Sequence, residues 1–166
     1  MNLSYSKGTM EDLDAIHGVF QDAIIEMDRN NIPQWDHLYP NREDLKEDIE
    51  NETLYVGKIE NDIVVVFVLN LDADEQYSTG EWKYSDASYL VLHRFCVNPK
   101  YQNCGIGGRA LSYVEEVVRT QGIETIRLDA FTRNPYAIRM YEKAGYEKVG
   151  TVDFRKGKFY LMEKLV

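Results

Sequence analysis

The chain has 166 residues and a formal net charge of −9, and no apolar run approaches the length of a membrane span. A chain of this size fills one ordinary domain, residues 1–166, and buries its own core without disulfides or metals. The acidic balance sets aside nucleic-acid binding, which needs clustered Lys and Arg, and agrees with a cationic partner. The opening residues, Met1 to Lys7, lack the basic-then-apolar pattern of a secretory signal, so a cytoplasmic home is expected.

Leu3 to Lys7 reads as a short strand. Thr9 to Asp12 reads as a capping box, and Leu13, Ile16, Phe20, Ala23, Ile24 and Met27 then recur at helical spacing to about Asp28. The connection Arg29 to Pro40 carries Trp35, Asp36, His37 and Tyr39 within five positions. Asn41 caps a second helix with Leu45 and Ile49 on one face. Leu54–Ile59 and Ile63–Leu71 form an antiparallel hairpin, and the run from Ile63 to Leu69 is apolar on both faces, as in a strand covered on both sides.

Asp72 to Asp86 is an acidic, aromatic loop, long enough to suggest a functional role. Its aromatics Trp82 and Tyr84 are the surface residues that would mark a homodimer interface. Ser88 to Val97 is a strand that stops before Pro99. Gly105 to Gln121 is an amphipathic helix with Ile106, Ala110, Val114, Val117 and Val118 inward, closed by Gly122. Thr125 to Phe131 is a strand. Asn134 caps a helix that opens on Pro135 and ends at Gly145, and Tyr146–Val152 and Phe159–Lys164 are the last strands. The order β-α-α-β-β-β-α-β-α-β-β describes an α/β layered domain with a mixed sheet and no internal repeat.

The stretch Val97-Asn98-Pro99-Lys100-Tyr101-Gln102-Asn103-Cys104-Gly105-Ile106-Gly107-Gly108 stands out. It runs from a strand end through a polar turn into glycines that start a helix. The first N–H groups of a helix have no internal partner, and the helix dipole adds partial positive charge there. Glycines without Cβ atoms let an anion come close. The order suits a pyrophosphate. A glycine-rich turn without a ligand is the plainer alternative. The two cysteines flank this turn without a His or Cys at metal-ligand spacing, so neither a disulfide nor a metal site is expected; Cys96 reads as buried and Cys104 as exposed.

Gln102-Asn103-Cys104-Gly105-Ile106-Gly107 also resembles the Q/R-x-x-G-x-G/A signature of the GCN5-related N-acetyltransferases, the GNAT enzymes. Asn134-Pro135-Tyr136-Ala137-Ile138-Arg139-Met140-Tyr141-Glu142-Lys143-Ala144-Gly145-Tyr146 resembles that family's next motif, in the same order and spacing. The likeness covers roughly Leu90 to Val152. It implies a mixed central sheet of about seven strands with helices on both faces, and a gap between the fourth and fifth strands that takes acetyl-CoA.

The resemblance implies an N-acetyltransferase in which a primary amine, on a small molecule or a peptide, attacks the thioester directly. Main-chain donors of Gln102, Asn103, Cys104, Gly105, Ile106, Gly107 and Gly108 would hold the diphosphate. The backbone of Phe95, Cys96 and Val97 would pair with the pantetheine amides, and a strand N–H there would meet the oxyanion. Asn134 would touch the arm from the other side, beside its role as a helix cap. Tyr141 would protonate the leaving thiolate, although its place in an apolar helical stripe with Ala137 and Ile138 also suits the core. The fourth strand lacks the carboxylate that the family often uses as a base. His93 is the obvious substitute, because histidine titrates near neutrality, or else it is a strand histidine satisfied by a neighbour; Asp36, His37, Asp72 and Glu75 in the loops are further candidates without a ranking. Trp35, Asp36 and Tyr39 suit a cationic acceptor through ring faces and charge, or else fold onto the domain.

Two other readings compete. Gly105-x-Gly107-x-x-Ala110 followed by Asp129 fits a dinucleotide fingerprint and an NAD(P)-dependent oxidoreductase. Against it, Asn98 to Cys104 separates strand from glycines, and too few residues follow for a doubly wound sheet. A non-catalytic acyl-CoA sensor of the same fold is the second alternative, kept open by the missing strand carboxylate.

Overall fold

In the computed structural model, which describes residues 2–166, the strands are β1 (Leu3–Lys7), β2 (Leu54–Ile59), β3 (Asp62–Asn70), β4 (Tyr89–Val97), β5 (Thr125–Phe131), β6 (Glu147–Phe154) and β7 (Gly157–Leu165). The α-helices are α1 (Leu13–Arg29), α2 (Arg42–Glu50), α3 (Ile106–Thr120) and α4 (Pro135–Lys143). The seven strands form one sheet in the order β1-β2-β3-β4-β5-β7-β6. β1/β2, β2/β3, β5/β7 and β6/β7 are antiparallel, whereas β4/β5 is parallel, so the sheet is mixed as expected.

The chain divides into two compact units, residues 2–69 with 94–110, and residues 70–93 with 111–166. Neither is continuous in sequence, and both β4 and α3 run from one into the other.

The first unit is built on α1 and α2. A 3-10 turn, Met10–Asp12, precedes α1, and the Thr9 N–H donates to Asp12 Oδ2 at 3.2 Å. At α2 the capping box is reciprocal: Asn41 Oδ1 accepts from the Asp44 N–H and Asp44 Oδ2 from the Asn41 N–H, both at 2.9 Å. Leu13, Ile16 and Phe20 of α1 meet Leu45 and Ile49 of α2 and Leu54, Val56, Val66 and Val68 of the hairpin in one core. Ile63 to Leu69 is buried throughout, as its unbroken apolar run predicts.

In the second unit β5 pairs with β7 along its whole length, and Ile126, Leu128, Phe131, Leu161 and Met162 are buried. Leu111 of α3 is buried as well, a position the periodic reading passes over, whereas Val117 is only half-buried. The acidic loop before β4 is more ordered than its sequence suggests. It contains a 3-10 turn, Glu75–Thr79, whose Tyr77 is 3% exposed and donates its hydroxyl to Asp129 Oδ2 at 2.7 Å. Trp82 does not stand out on the surface. Its Nε1–H donates to the Tyr77 carbonyl at 2.8 Å, and the Arg127 guanidinium lies between the Trp82 and Tyr89 rings, 4.3 and 4.0 Å from their centroids. These contacts hold the Trp82 ring within its own unit.

One ion pair gives the first unit a pH dependence. Lys58 Nζ lies 3.0 Å from Asp12 Oδ1. Burial alone would raise the Asp12 carboxyl, but hydrogen bonds from Lys58 and Thr9 outweigh it and hold it below its ordinary value. The carboxyl therefore protonates first in the unfolded chain. Its contribution is whole above the ordinary carboxylate value of about 3.9 and is lost as pH falls through the lower folded value. Asp12→Asn is expected to lower the Tm near neutral pH and to cost little at about pH 2. Thermal melts at both pH values check this, and a gap independent of pH would contradict it.

Candidate active site

The glycine turn is built from the strand before it. The Asn98 N–H donates to the Val64 carbonyl at 2.8 Å and its Nδ2 to the Ile63 carbonyl at 2.9 Å, which stops β4 against β3. Asn98 Oδ1 accepts from the Lys100 N–H at 3.1 Å and starts a 3-10 turn, Pro99–Tyr101, where the sequence predicts only loop. Tyr101 is anchored by its hydroxyl on Asp62 Oδ2, 2.6 Å away.

Gln102, Asn103, Cys104 and Gly105 are then exposed, and Asn103 and Gly105 take left-handed backbone angles, φ 61° and φ 76°. The Gly105 carbonyl accepts from the Arg109 N–H at 3.2 Å, so α3 starts directly after it, and Ile106, 1% exposed, pins that start to the core. An α-helix has no internal use for its first N–H groups. A Cβ on Gly108 would meet no atom within 4 Å, so packing does not explain its glycine. Cys104 is an exposed free thiol whose Sγ donates to the Gln102 carbonyl at 3.4 Å.

Upstream, Phe95 and Val97 are half-buried and Cys96 is buried. Burial pushes the Cys96 thiol far above its ordinary range, which makes it inert as a nucleophile. The Phe95 ring stacks on Phe67 at 6.2 Å. The ladder between β4 and β5 holds three pairs, from Tyr89↔Thr125 to Val91↔Arg127, although both strands run on. Just beyond that ladder Arg94 has φ 49°, a left-handed angle in mid-strand.

The sequence reading passes over Arg94 and Asp48. Arg94 Nε and Nη2 donate to the two oxygens of Asp48 at 2.8 and 2.7 Å, and Nη1 donates to the Tyr39 hydroxyl at 2.7 Å. The pair is well shielded, with side-chain exposures of 14% and 9%. The signal for it is an Arg inside an apolar strand and an Asp in the apolar stripe of α2, beside Leu45 and Ile49.

Of the expected acceptor residues, Trp35 packs against the first unit's core with its ring 5.3 Å from Phe20. Asp36 and Tyr39 close a tight turn: their backbones exchange hydrogen bonds of 3.1 and 3.2 Å, and Asp36 Oδ1 accepts from the Leu38 N–H at 3.0 Å. Tyr39 is 40% exposed.

His93, Asn134 and Tyr141 belong to the second unit, whereas Trp35, Asp36, Tyr39, Phe95–Val97 and the glycine turn belong to the first. His93 Nε2 lies 2.8 Å from the Asp72 carbonyl. A carbonyl only accepts, so Nε2 is the donor in this contact. Asn134 is 9% exposed, and its Oδ1 accepts from the Ala137 N–H at 3.1 Å, the expected cap. Tyr141 is 7% exposed and meets the Tyr146 ring edge-on at 5.8 Å. The Tyr77–Asp129 pair of this unit is also absent from the sequence reading. Burial, and then the Asp129 carboxylate, hold the Tyr77 phenol well above its ordinary value, so it remains a donor.

Comparison with known proteins agrees with this architecture. A family model described as the acetyltransferase (GNAT) family matches residues 21–146. The chain is 25% identical over 143 residues to the uncharacterized N-acetyltransferase YesJ of Bacillus subtilis, covering 84% of this chain and 79% of that one. A GNAT-family acetyltransferase from Streptococcus agalactiae superposes with a TM-score of 0.87 at 21% identity, over 99% of this chain and 95% of that one. The PaiA N-acetyltransferase of Thermoplasma acidophilum, solved in complex with coenzyme A, superposes with a TM-score of 0.74 at 19% identity over 100% of both chains. The strand order, the exposed turn after β4 and this family match lead to one conclusion: the chain belongs to the acetyltransferase (GNAT) family.

Proposed function

We propose that this acetyltransferase moves an acetyl group from acetyl-CoA to a primary amine by direct attack. The observation that carries the reading is the exposed turn Gln102–Gly105 that runs into the start of α3 in the connection after β4, in a chain of this family. Nothing in the fold favours the NAD(P) alternative, because a 3-10 turn and four exposed residues separate the strand from its helix. That departs from the direct strand-to-glycine junction a dinucleotide fingerprint needs.

The chemistry follows from the groups available. Main-chain N–H groups from Gln102 to Gly108, with the positive end of the α3 dipole, hold the diphosphate. Gln102 supplies an amide where many relatives of this motif carry an arginine charge, and the helix start offsets part of that loss. The backbone of Phe95, Cys96 and Val97 pairs with the pantetheine amides, and Asn134 meets the arm while it caps α4.

The amine nitrogen attacks the thioester carbonyl carbon, and a strand N–H from Phe95–Val97 stabilises the oxyanion. The C–S bond breaks, and the thiolate takes the proton of the Tyr141 hydroxyl. The extra proton on the new amide nitrogen passes through solvent to the Tyr141 phenolate and restores the hydroxyl. An alkylamine has a pKa of about 10.4 and arrives protonated, so a proton must leave before attack. His93 suits that proton transfer, because an imidazole takes up and releases a proton near neutrality, and its ring is held through Nε2 at the Asp72 carbonyl. Asp36 and the Tyr39 ring are offered as the acceptor's surroundings, which suits a cationic amine. Trp35 shapes that loop from its place against Phe20.

Titration with acetyl-CoA and with NADH, followed by thiol release over an amine panel, tests the reading as a whole. Acetyl-CoA binding with turnover on at least one amine supports it. NADH binding without acetyl-CoA binding contradicts it, and acetyl-CoA binding without turnover on any amine favours the sensor.

Two substitutions test its parts. Tyr141→Phe is expected to lower kcat by about 100-fold or more while the acetyl-CoA Kd moves less than about twofold. Equal losses in both would make Tyr141 structural. Gly107→Val is expected to weaken acetyl-CoA binding by about tenfold or more, by putting a branched side chain where the diphosphate approaches. An unchanged Kd in a folded variant would remove the turn from the site.

A further inference from the structure

We propose that Arg94 is a positioning residue for acetyl transfer, clamped by Asp48 and Tyr39 so that β4 keeps the left-handed turn that aims the N–H groups of Phe95–Val97. The inference rests on the acetyl-transfer reading above.

A left-handed angle is unfavourable for a non-glycine residue, because its Cβ crowds the backbone. Arg94 takes that angle, φ 49°, in the middle of a strand, directly before the residues assigned to pantetheine and oxyanion. One residue in this conformation shifts the direction of the following N–H and C=O groups, as a β-bulge does. Such a conformation persists only where its surroundings over-determine it.

The surroundings here are specific. Arg94 uses Nε, Nη1 and Nη2 at once, on both oxygens of Asp48 and on the Tyr39 hydroxyl, at 2.7 to 2.8 Å. A planar fork held at three corners fixes the side chain, and lysine cannot reproduce it. The clamp spans three segments: β4, the interior face of α2, and the connection between α1 and α2 that carries Asp36 and Tyr39.

Stability is a poor explanation for it. A buried ion pair is often no better than a well-packed apolar pair of similar volume, because both charges lose their water. Burial pushes the Asp48 carboxyl above its ordinary range, and Arg94 recovers only part of that. The stripe formed by Leu45 and Ile49 would favour an apolar residue at Asp48. What the ion pair supplies and an apolar pair does not is directional constraint on Arg94. The Tyr39 hydroxyl extends that constraint to the acceptor loop, so one guanidinium sets both the strand that meets the acyl group and the loop offered to the amine.

The test separates constraint from stability by comparing Asp48→Leu, Arg94→Met and the double variant Asp48→Leu/Arg94→Met, with Tm, acetyl-CoA Kd and kcat measured on each. Each single change strands a buried charge or its partner and lowers the Tm. The double variant is expected to regain a Tm near that of the parent protein. Its kcat is expected to remain down by about tenfold or more, with the acetyl-CoA Kd within about threefold of the parent value. Recovery of kcat together with Tm would overturn the inference.

Should the double variant fail to fold, Arg94→Lys decides. Loss of the fork with retention of the charge is expected to lower kcat by about tenfold at an unchanged acetyl-CoA Kd, and an unchanged kcat would overturn the proposal. Tyr39→Phe is expected to raise the amine KM severalfold with little effect on kcat, and an unchanged KM would remove the loop from the clamp. Failure of the parent protein itself to bind acetyl-CoA or release thiol would defeat the acetyl-transfer reading, and this inference with it.

Discussion

A helix leaves its first amides unpaired, and a protein must either cap them or give them to something else. At α2 and α4 this chain caps them with asparagine: Asn41 takes the Asp44 N–H and Asn134 takes the Ala137 N–H. Before α3 lies an exposed run, Gln102 to Gly105, and two glycines fall in its first turn. The function proposed above rests on an anion taking up main-chain donors there, because that contact would set where a long, flexible cofactor enters and therefore which strand residues its reactive end meets.

Packing and hydrogen bonds hold the segments around that junction. Ile106 buries the beginning of α3, Asn98 ties the end of β4 to β3 through Val64 and Ile63, and Tyr101 is held on Asp62. An anion gains most from donors that need no rearrangement to meet it. In the second unit the Asp72 carbonyl holds the His93 ring through Nε2.

What is legible in the sequence is local. Capping residues, glycines with positive φ and apolar periodicity each act within a few residues, so β1, β2 and β5 run between the residues expected and the helices start where Asn41 and Asn134 predict. The glycine turn and Asn134 are visible for the same reason. Pairs that meet only after folding are not. Arg94 and Asp48 lie far apart in sequence, as do Tyr77 and Asp129, and neither member of a pair names its partner. Trp82 reads as a surface aromatic because nothing local announces that Arg127 will stack on it. Buried polar pairs are where a sequence departs from its own apolar pattern. The departures at Asp48 and Arg94 are therefore present in the sequence, but their pairing is not.

The most direct test of the central claim uses a probe already in place. Cys104 is the exposed thiol within the turn, and Cys96 is buried. Alkylation of the native protein should therefore label Cys104 alone. The measurement is the rate of that labelling with and without S-ethyl-coenzyme A, a thioether with no free thiol, with binding verified independently by calorimetry. At about 100 times its Kd the analogue is expected to slow Cys104 labelling by about tenfold or more, because the diphosphate covers the turn. Tight binding of the analogue with the Cys104 rate unchanged would contradict the account, since the coenzyme would then lie elsewhere.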